Sequence, residues 1–257
     1  MTLITPRQSR GEDAPARTTW TAPSDGTGGG HAGIEDWVDT LPARSDRVAL
    51  NAHFEGASPE EILAWAFGEF GSALSIVSSF QNCVLVDLAT QVDPHAEIIF
   101  LDTGSHFVET LSFVEKVRRL YGLNLRIIRP GAEAEPWPCG SERCCELRKV
   151  VPLAGALRGR HAWVSGLKRS DTPNRASSPI VGWDSAQGLV KINPLACWTN
   201  DDVSRYEAEH RLVLHPLKSR GYASIGCEPT TRPVTRFEDP RAGRWPGTDK
   251  TECGLHV

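Results

Sequence analysis

From residue 46 onward the chain alternates short apolar runs with segments whose apolar positions recur at helical spacing. The runs Ala73–Val77, Glu97–Leu101, Leu125–Ile128 and His161–Ser165 predict four buried strands. Between them the pattern predicts helices over Val84 to Ala89 and Phe107 to Tyr121, then a long helix from about Glu142 through Leu157 with a kink at Pro152. Two helices precede the first strand. One covers Asp46 to Phe54. The other is announced by Ser58-Pro59-Glu60-Glu61, with Ser58 as N-cap, Pro59 in the first helical position and Glu61 closing a capping box. Its apolar stripe is Ile62, Leu63, Trp65, Ala66 and Phe70. Past the fourth strand, Pro179–Val181 and Leu189–Ile192 predict a hairpin, and Asp201–His210 a helix opened by Thr199 or Asn200. Strands alternating with helices predict an α/β fold with a parallel sheet and helices on both faces.

The two ends read differently. Residues 1–45 are rich in Thr, Ser, Pro and Gly and bury too little apolar surface to offset their ordering entropy. They are expected to form a disordered extension, with one short helix near Ile34 to Val38, ahead of a single domain over 46–257. From Gly221 the chain is loop-like, and about 228–257 is expected to be a mobile tail.

Composition narrows the function classes. Of 257 residues, 23% are charged and 40% hydrophobic, as in ordinary globular proteins. The formal net charge of −4 argues against nucleic-acid binding through a broadly basic surface, but leaves room for a local basic pocket. No apolar run approaches the roughly 18 residues that span a bilayer. Met1 to Gly30 lacks the apolar core of a secretory signal, so the expected location is the cytoplasm.

Open parallel sheets bind ligands beyond the carboxyl ends of their strands. The polar residues placed there are Ser78-Ser79-Phe80-Gln81-Asn82, Asp102-Thr103-Gly104 and Gly166-Leu167-Lys168-Arg169. Hydroxyls and backbone N–H groups ahead of a helix suit an anion. Three such loops in register point to a nucleotide site.

Seven cysteines in a chain without an export signal speak for metal, redox or nucleophilic use rather than a disulfide framework. Cys83 and Cys197 have apolar neighbours and are expected to be small buried hydrophobes. Cys139 lies in a Pro-flanked loop and is assigned no role. Cys144 and Cys145 are adjacent, which disfavours a mutual disulfide and favours iron–sulfur or other metal ligation together with Cys227. Cys253, four residues before the end of the sequence, sits beside Gly254 with Lys250 and His256 close by. Positive charge there favours a thiolate, and a tail thiol is free to meet two partners in turn. Arg232, Arg236, Arg241, Arg244 and Lys250 concentrate near it, as if to hold a polyanion by a nucleophile.

Together these residues resemble a known family, the assimilatory adenylyl-sulfate and phosphoadenylyl-sulfate reductases, most closely the bacterial adenylyl-sulfate type. The resemblance runs from about Ser72 to the end. It is carried by Ser78-Ser79-Phe80, Leu101-Asp102-Thr103-Gly104, Arg143-Cys144-Cys145-Glu146-Leu147-Arg148-Lys149, Ser165-Gly166-Leu167-Lys168-Arg169, Gly226-Cys227-Glu228-Pro229, Arg241-Ala242-Gly243-Arg244-Trp245 and Glu252-Cys253-Gly254-Leu255-His256. It implies an adenine-nucleotide α-hydrolase-like fold. Ser78, Ser79, Phe80, Asp102, Thr103, Gly104, Gly166, Leu167 and Arg175 would hold the nucleotide. Lys149, Arg241, Arg244 and His256 would line the phosphosulfate, and Cys253 would attack the sulfuryl sulfur. Thioredoxin or a similar dithiol would then release sulfite.

The family's cluster-bearing branch implies a 4Fe-4S cluster on Cys144, Cys145, Cys227 and a fourth cysteine, but Thr230 stands in the fourth position. Three outcomes stay open: a labile cluster with three cysteines and an exogenous or Thr230 ligand, an empty site with slow turnover, or a relict site. The reading favours the labile cluster and adenosine 5'-phosphosulfate as substrate. Whether Cys139 substitutes is left open, its spacing being foreign to the family pattern. The alternatives are an iron-independent phosphoadenylyl-sulfate reductase and a non-catalytic nucleotide-binding or iron-sensing relative.

Overall fold

The computed structural model describes residues 44–255. The expected N-terminal extension, its short helix near Ile34 to Val38, and His256 therefore lie outside the described residues, apart from two residues of the first helix. In chain order the elements are α1 (Arg44–Phe54), α2 (Pro59–Phe70), β1 (Leu74–Val77), α3 (Val84–Val92), β2 (Glu97–Leu101), α4 (Val108–Tyr121) and β3 (Asn124–Ile128). There follow α5 (Glu142–Cys145), α6 (Val151–Ala156), β4 (Ala162–Ser165), β5 (Val181–Asp184), β6 (Leu189–Ile192) and α7 (Asn200–Glu209).

The six strands form one sheet in the order β3-β2-β1-β4-β6-β5. All pairings are parallel except the β5–β6 hairpin. β1, β2 and β4 are inner strands and bury nearly every residue, which is why they read as continuous apolar runs. β3 is an edge and carries exposed Asn124 beside the charged Arg126. On one face Leu153, Ala156 and Leu157 pack against Ile99, Leu101 and Trp163. The amino end of the sheet is closed by a polar knot, in which Glu97 accepts from Ser75 (2.7 Å) and pairs with Arg160 (2.9 Å). The carboxyl end is left for the site.

The α2 start is as expected: Ser58 accepts from the Glu61 N–H and the Glu61 carboxylate accepts from the Ser58 N–H. The long helix expected from about Glu142 through Leu157 runs as α5, a π-helical turn over Glu146–Val150, and α6, the distortion expected at Pro152 taking the form of that turn rather than a kink. Pro152 has no N–H to donate, and its ring would press on the Arg148 carbonyl in an α-helix. The widened turn, in which the Val151 N–H reaches back to the Glu146 carbonyl, accommodates both. Cys197, expected in the core, is exposed. It lies on the Asn193–Trp198 turn, whose backbone bonds bury Leu195 and Ala196 and turn Cys197 outward to Glu55, 3.4 Å away. Cys83 is buried as expected.

His215 fixes the turn that packs on α4. Its Nδ1 accepts from the Leu217 N–H (3.2 Å), its Nε2 meets the Thr110 hydroxyl (3.1 Å), and its ring lies against Phe113. Burial pulls its pKa from 6.5 to about 4, against the opposing charge of Glu109. A depressed folded-state pKa gives stability that is present above pH 6.5 and lost as the pH falls toward 4. Chemical denaturation across that window is expected to show a steeper decline for the native chain than for His215→Gln, by up to about 3 kcal/mol.

Candidate active site at the carboxyl edge of the sheet

The chain runs outward from β1 through β2 to β3 and returns to β4 on the other side of β1. The loops after β1 and β4 therefore diverge, and the crevice between them is where an open sheet offers a ligand site. A cavity of about 180 Å³ opens there. Ser78 and Ser79 line it from β1, Gly166 and Leu167 from β4, and Thr103 from β2. Each loop is set by a short local bond. The Ser78 hydroxyl accepts from the Phe80 N–H (3.2 Å) and the Ser165 hydroxyl accepts from the Leu167 N–H (3.3 Å) while donating to Asn193 (2.6 Å).

Three expected site residues do not reach the cavity wall. Phe80 takes a positive φ of 53° and turns its ring into the core, edge-on to Phe100. Asp102 spends one oxygen on the Gly104 N–H (3.1 Å) and the other on Arg129 (3.0 Å). Gly104, at φ 68°, makes room for Arg148, whose guanidinium donates to the Thr103 carbonyl at 2.6 Å. These residues shape the loops that carry their neighbours.

The opposite wall is basic. Lys149, Arg175, Arg241 and Arg244 all face the cavity, and so does Cys253. Arg175 is buried and holds Glu252 with two bonds (2.6 and 2.5 Å) and Asp171 with a third (3.1 Å). Arg241 donates to the Thr251 carbonyl (3.0 Å). Arg244 lies on the Trp245 ring at 4.6 Å, and its Nε is buried without a partner. Gly226 makes that seat: a Cβ there would stand 2.2 Å from the Arg244 guanidinium. Burial lowers the pKa of Arg241, assisted by Arg175, and that of Arg244, assisted by Arg241. Burial also works against the Lys149 ammonium, yet the charges of Cys253, Cys227 and Cys145 hold its pKa above the ordinary value. Cations so crowded and so dry favour an anion between them.

The last described residues are folded into this wall. The segment from 228 is closed on itself by a bridge between Thr231 and Arg244 and by Trp245 N–H to Thr230 carbonyl (2.9 Å). Glu252 anchors to Arg175. Leu255 packs on the core cluster, and its carbonyl accepts from Lys191 (3.2 Å), whose pKa burial pushes down to about 8.

A second, smaller cavity adjoins the first, sharing Lys149, Cys227 and Trp245 with it. Cys139, Cys144, Cys145 and Cys227 line it together with Thr230. Ser141 caps α5 through the Cys144 N–H (3.1 Å), which places the adjacent pair. Cys227 is stitched to the loop after β2, with Glu228 N–H to the Ser105 carbonyl (2.8 Å) and Thr103 hydroxyl to its sulfur (3.4 Å). Lys250 reaches the Cys145 sulfur at 3.2 Å. Among the described residues, no three His, Cys, Asp or Glu side chains converge on a single-ion site.

Residues 73–233 match the family model described as the phosphoadenosine phosphosulfate reductase domain. The chain belongs to this reductase family. It is 42% identical over 229 residues to the adenosine 5'-phosphosulfate reductase of Mycobacteroides abscessus, covering 86% of this chain and 96% of that protein. It is 43% identical over 215 residues to the protein of the same name from Mycolicibacterium smegmatis, covering 80% and 91%. Among solved structures, the phosphoadenylyl-sulfate reductase of Candida auris in its phosphate complex aligns with a TM-score of 0.66 and 27% identity, over 74% of this chain and 98% of that one. The fold is the adenine-nucleotide α-hydrolase-like one.

Against that family the site divides cleanly. Of the expected residues, Ser78, Ser79, Thr103, Lys149, Gly166, Leu167, Arg175, Arg241, Arg244 and Cys253 are brought to one cavity, and Cys144, Cys145 and Cys227 to the adjoining one. Glu252 and Gly226 were not anticipated as lining the first cavity, and Cys139, whose role the sequence left open, lines the second. Gly226 was the more readable of the two, lying between Ile225 and Cys227 where only a missing side chain admits Arg244. Gly226→Ala is expected to unseat Arg244 and weaken sulfate binding about tenfold or more, the worth of one charge-assisted hydrogen bond. Calorimetric titration with sulfate, beside an unchanged far-ultraviolet circular dichroism spectrum, checks it.

Proposed function

We propose that the chain reduces adenosine 5'-phosphosulfate to sulfite and AMP in sulfate assimilation, with Cys253 as nucleophile and thioredoxin or a similar dithiol as reductant. The observation that carries this reading is the position of the Cys253 thiol on a cavity wall facing Lys149, Arg175, Arg241 and Arg244. The relatives named adenosine 5'-phosphosulfate reductase support the substrate.

The chemistry balances as two thiol steps. The Cys253 thiolate attacks the sulfuryl sulfur; an S–S bond forms, the sulfur–oxygen bond to phosphate breaks, and the electron pair leaves on the AMP phosphate. Charge grows on the bridging oxygen in that step, so the buried guanidiniums and the Lys149 ammonium stabilise the transition state more than the ground state. A dithiol thiolate then attacks the Cys253 sulfur. Sulfite departs with the electron pair of the S–S bond, and the second thiol resolves the mixed disulfide, so that the dithiol is oxidised by two electrons. The hydroxyls and backbone of Ser78, Ser79, Gly166 and Leu167 orient the nucleoside end.

The two steps need the thiol in two places. Glu252, latched to Arg175, holds the tail where Cys253 faces the cations; release of the latch carries the thiol out to the dithiol donor. The donor set of the adjoining cysteine cavity suits an iron–sulfur cluster, since soft thiolates are the ligands such a group takes. Cys144, Cys145 and Cys227 would hold it. When bound it supplies a compact negative charge beside Lys149 and ties two chain segments together.

Incubation with adenosine 5'-phosphosulfate followed by mass spectrometry is expected to find an added SO3 on Cys253, and sulfite should form with thioredoxin. Cys253→Ser should abolish both; undiminished sulfite from that variant would refute the assignment. Turnover on the 3'-phosphorylated nucleotide is expected to be far lower, and the reverse preference would move the chain to the other substrate. Glu252→Ala is expected to slow S-sulfonation about tenfold or more, because buried Arg175 loses one of its two carboxylate partners and the tail its anchor, while dithiol-driven sulfite release is unchanged. Single-turnover kinetics of the two half-reactions separate these effects.

A further inference from the structure

The adjoining cavity contains one thiol more than the expected ligand set. Cys139 lines it together with Cys227 and Thr230. Thr230 itself is turned away from ligand duty. Its hydroxyl donates to the Cys227 carbonyl (3.4 Å), and its methyl group faces Gly140. A Cβ built on Gly140 would stand 2.7 Å from that methyl, and Gly140 takes a φ of 95°. Only glycine lets the 138–141 turn, closed by Ser141 N–H to the Pro138 carbonyl (3.2 Å), come down this far onto position 230. Lys250 pins the same turn through the Gly140 carbonyl (3.0 Å) while touching the Cys145 sulfur. Thus the segment bearing the extra cysteine is packed against the residue that replaces the missing one.

We propose that Cys139 is the fourth thiolate ligand of a 4Fe-4S cluster in this chain, supplied from the turn that packs against position 230. The inference rests on the reading that this cavity holds a cluster. Four soft sulfur donors, with no His, Asp or Glu among the residues lining the cavity, select zinc or an iron–sulfur group over hard cations. The reading of this cavity as a cluster site, on which the inference rests, favours the iron–sulfur group over zinc. A cubane needs one sulfur at each of four separated corners, and each thiol gives up its proton on binding iron. The neutral Thr230 hydroxyl, already donating to a carbonyl, is a poor substitute.

The test uses the full chain, purified and reconstituted without oxygen using ferrous iron and sulfide. The native chain is expected to carry about four irons and four sulfides per chain, as one cubane requires. Cys139→Ser should fall to three irons or fewer, and Cys139→Ser with Thr230→Cys should regain the native content and visible absorbance. Iodoacetamide mapping supplies a reading that needs no variant. Cys139 should be protected in the loaded protein and alkylated after iron chelation, with exposed Cys197 alkylated throughout as internal control. A Cys139→Ser protein with full iron and an unchanged spectrum overturns the proposal, as does alkylation of Cys139 at the Cys197 rate in the loaded chain. A native chain that takes up no iron, or that joins Cys139 to Cys227 in a disulfide, overturns it along with the cluster. Sulfite formation, assayed separately, reports on the reductase reading whichever of these results is found.

Discussion

Lys149, Arg175, Arg241 and Arg244 are gathered at one end of the sheet, and Glu252 is the carboxylate that enters their cavity from the tail. Removing charges from water is costly unless they are answered, so this wall is tolerable only with an anion in it. With the tail folded in, Glu252 answers Arg175 and leaves Lys149 and Arg244 turned toward the space beside Cys253. The architecture serves that imbalance. The divergence of β1 and β4 opens the crevice, Gly226 admits the Arg244 guanidinium, and the bridge between Thr231 and Arg244 brings Arg241 and Arg244 back across the sheet end.

The two cavities are not independent. Lys149, Cys227 and Trp245 belong to both, and Lys250 lies over the Trp245 ring while reaching the Cys145 sulfur. Charge on the cysteine side is felt by Lys149, whose pKa already responds to Cys227 and Cys145 as well as to Cys253. Charge held by the cysteines therefore acts on the surroundings of Cys253 by electrostatics, through Lys149.

Much of the fold was legible because burial leaves a pattern. β1, β2 and β4 are covered on both faces and read as unbroken apolar runs, and α2 carries its capping box in four consecutive residues. The chain after 228 was not legible. It is held by backbone pairing and by arginines on carbonyls, neither of which has a sequence period. Cys197 misled because apolar neighbours imply burial only where the backbone does not turn. Asp102 and Phe80 sit in the right loops but face inward, and side-chain direction at a strand end is set by tertiary bonds such as that to Arg129. The question of Cys139 stayed open in the sequence because motif spacing counts along the chain, whereas the packing of its turn on Thr230 crosses from one segment to another.

The widened turn at Glu146–Val150 lets one stretch of helix serve two masters. Each residue advances an α-helix by about 100°, so the slack wound into this turn throws the residues before and after it out of phase. The first half can aim its paired thiols sideways into the cysteine-lined cavity while the second lays Leu153, Ala156 and Leu157 flat on the sheet. An unbroken helix would have had to share a single stripe between those duties. The proline that looked like a mere interruption thus marks the joint between a reactive half and a load-carrying half of the same rod.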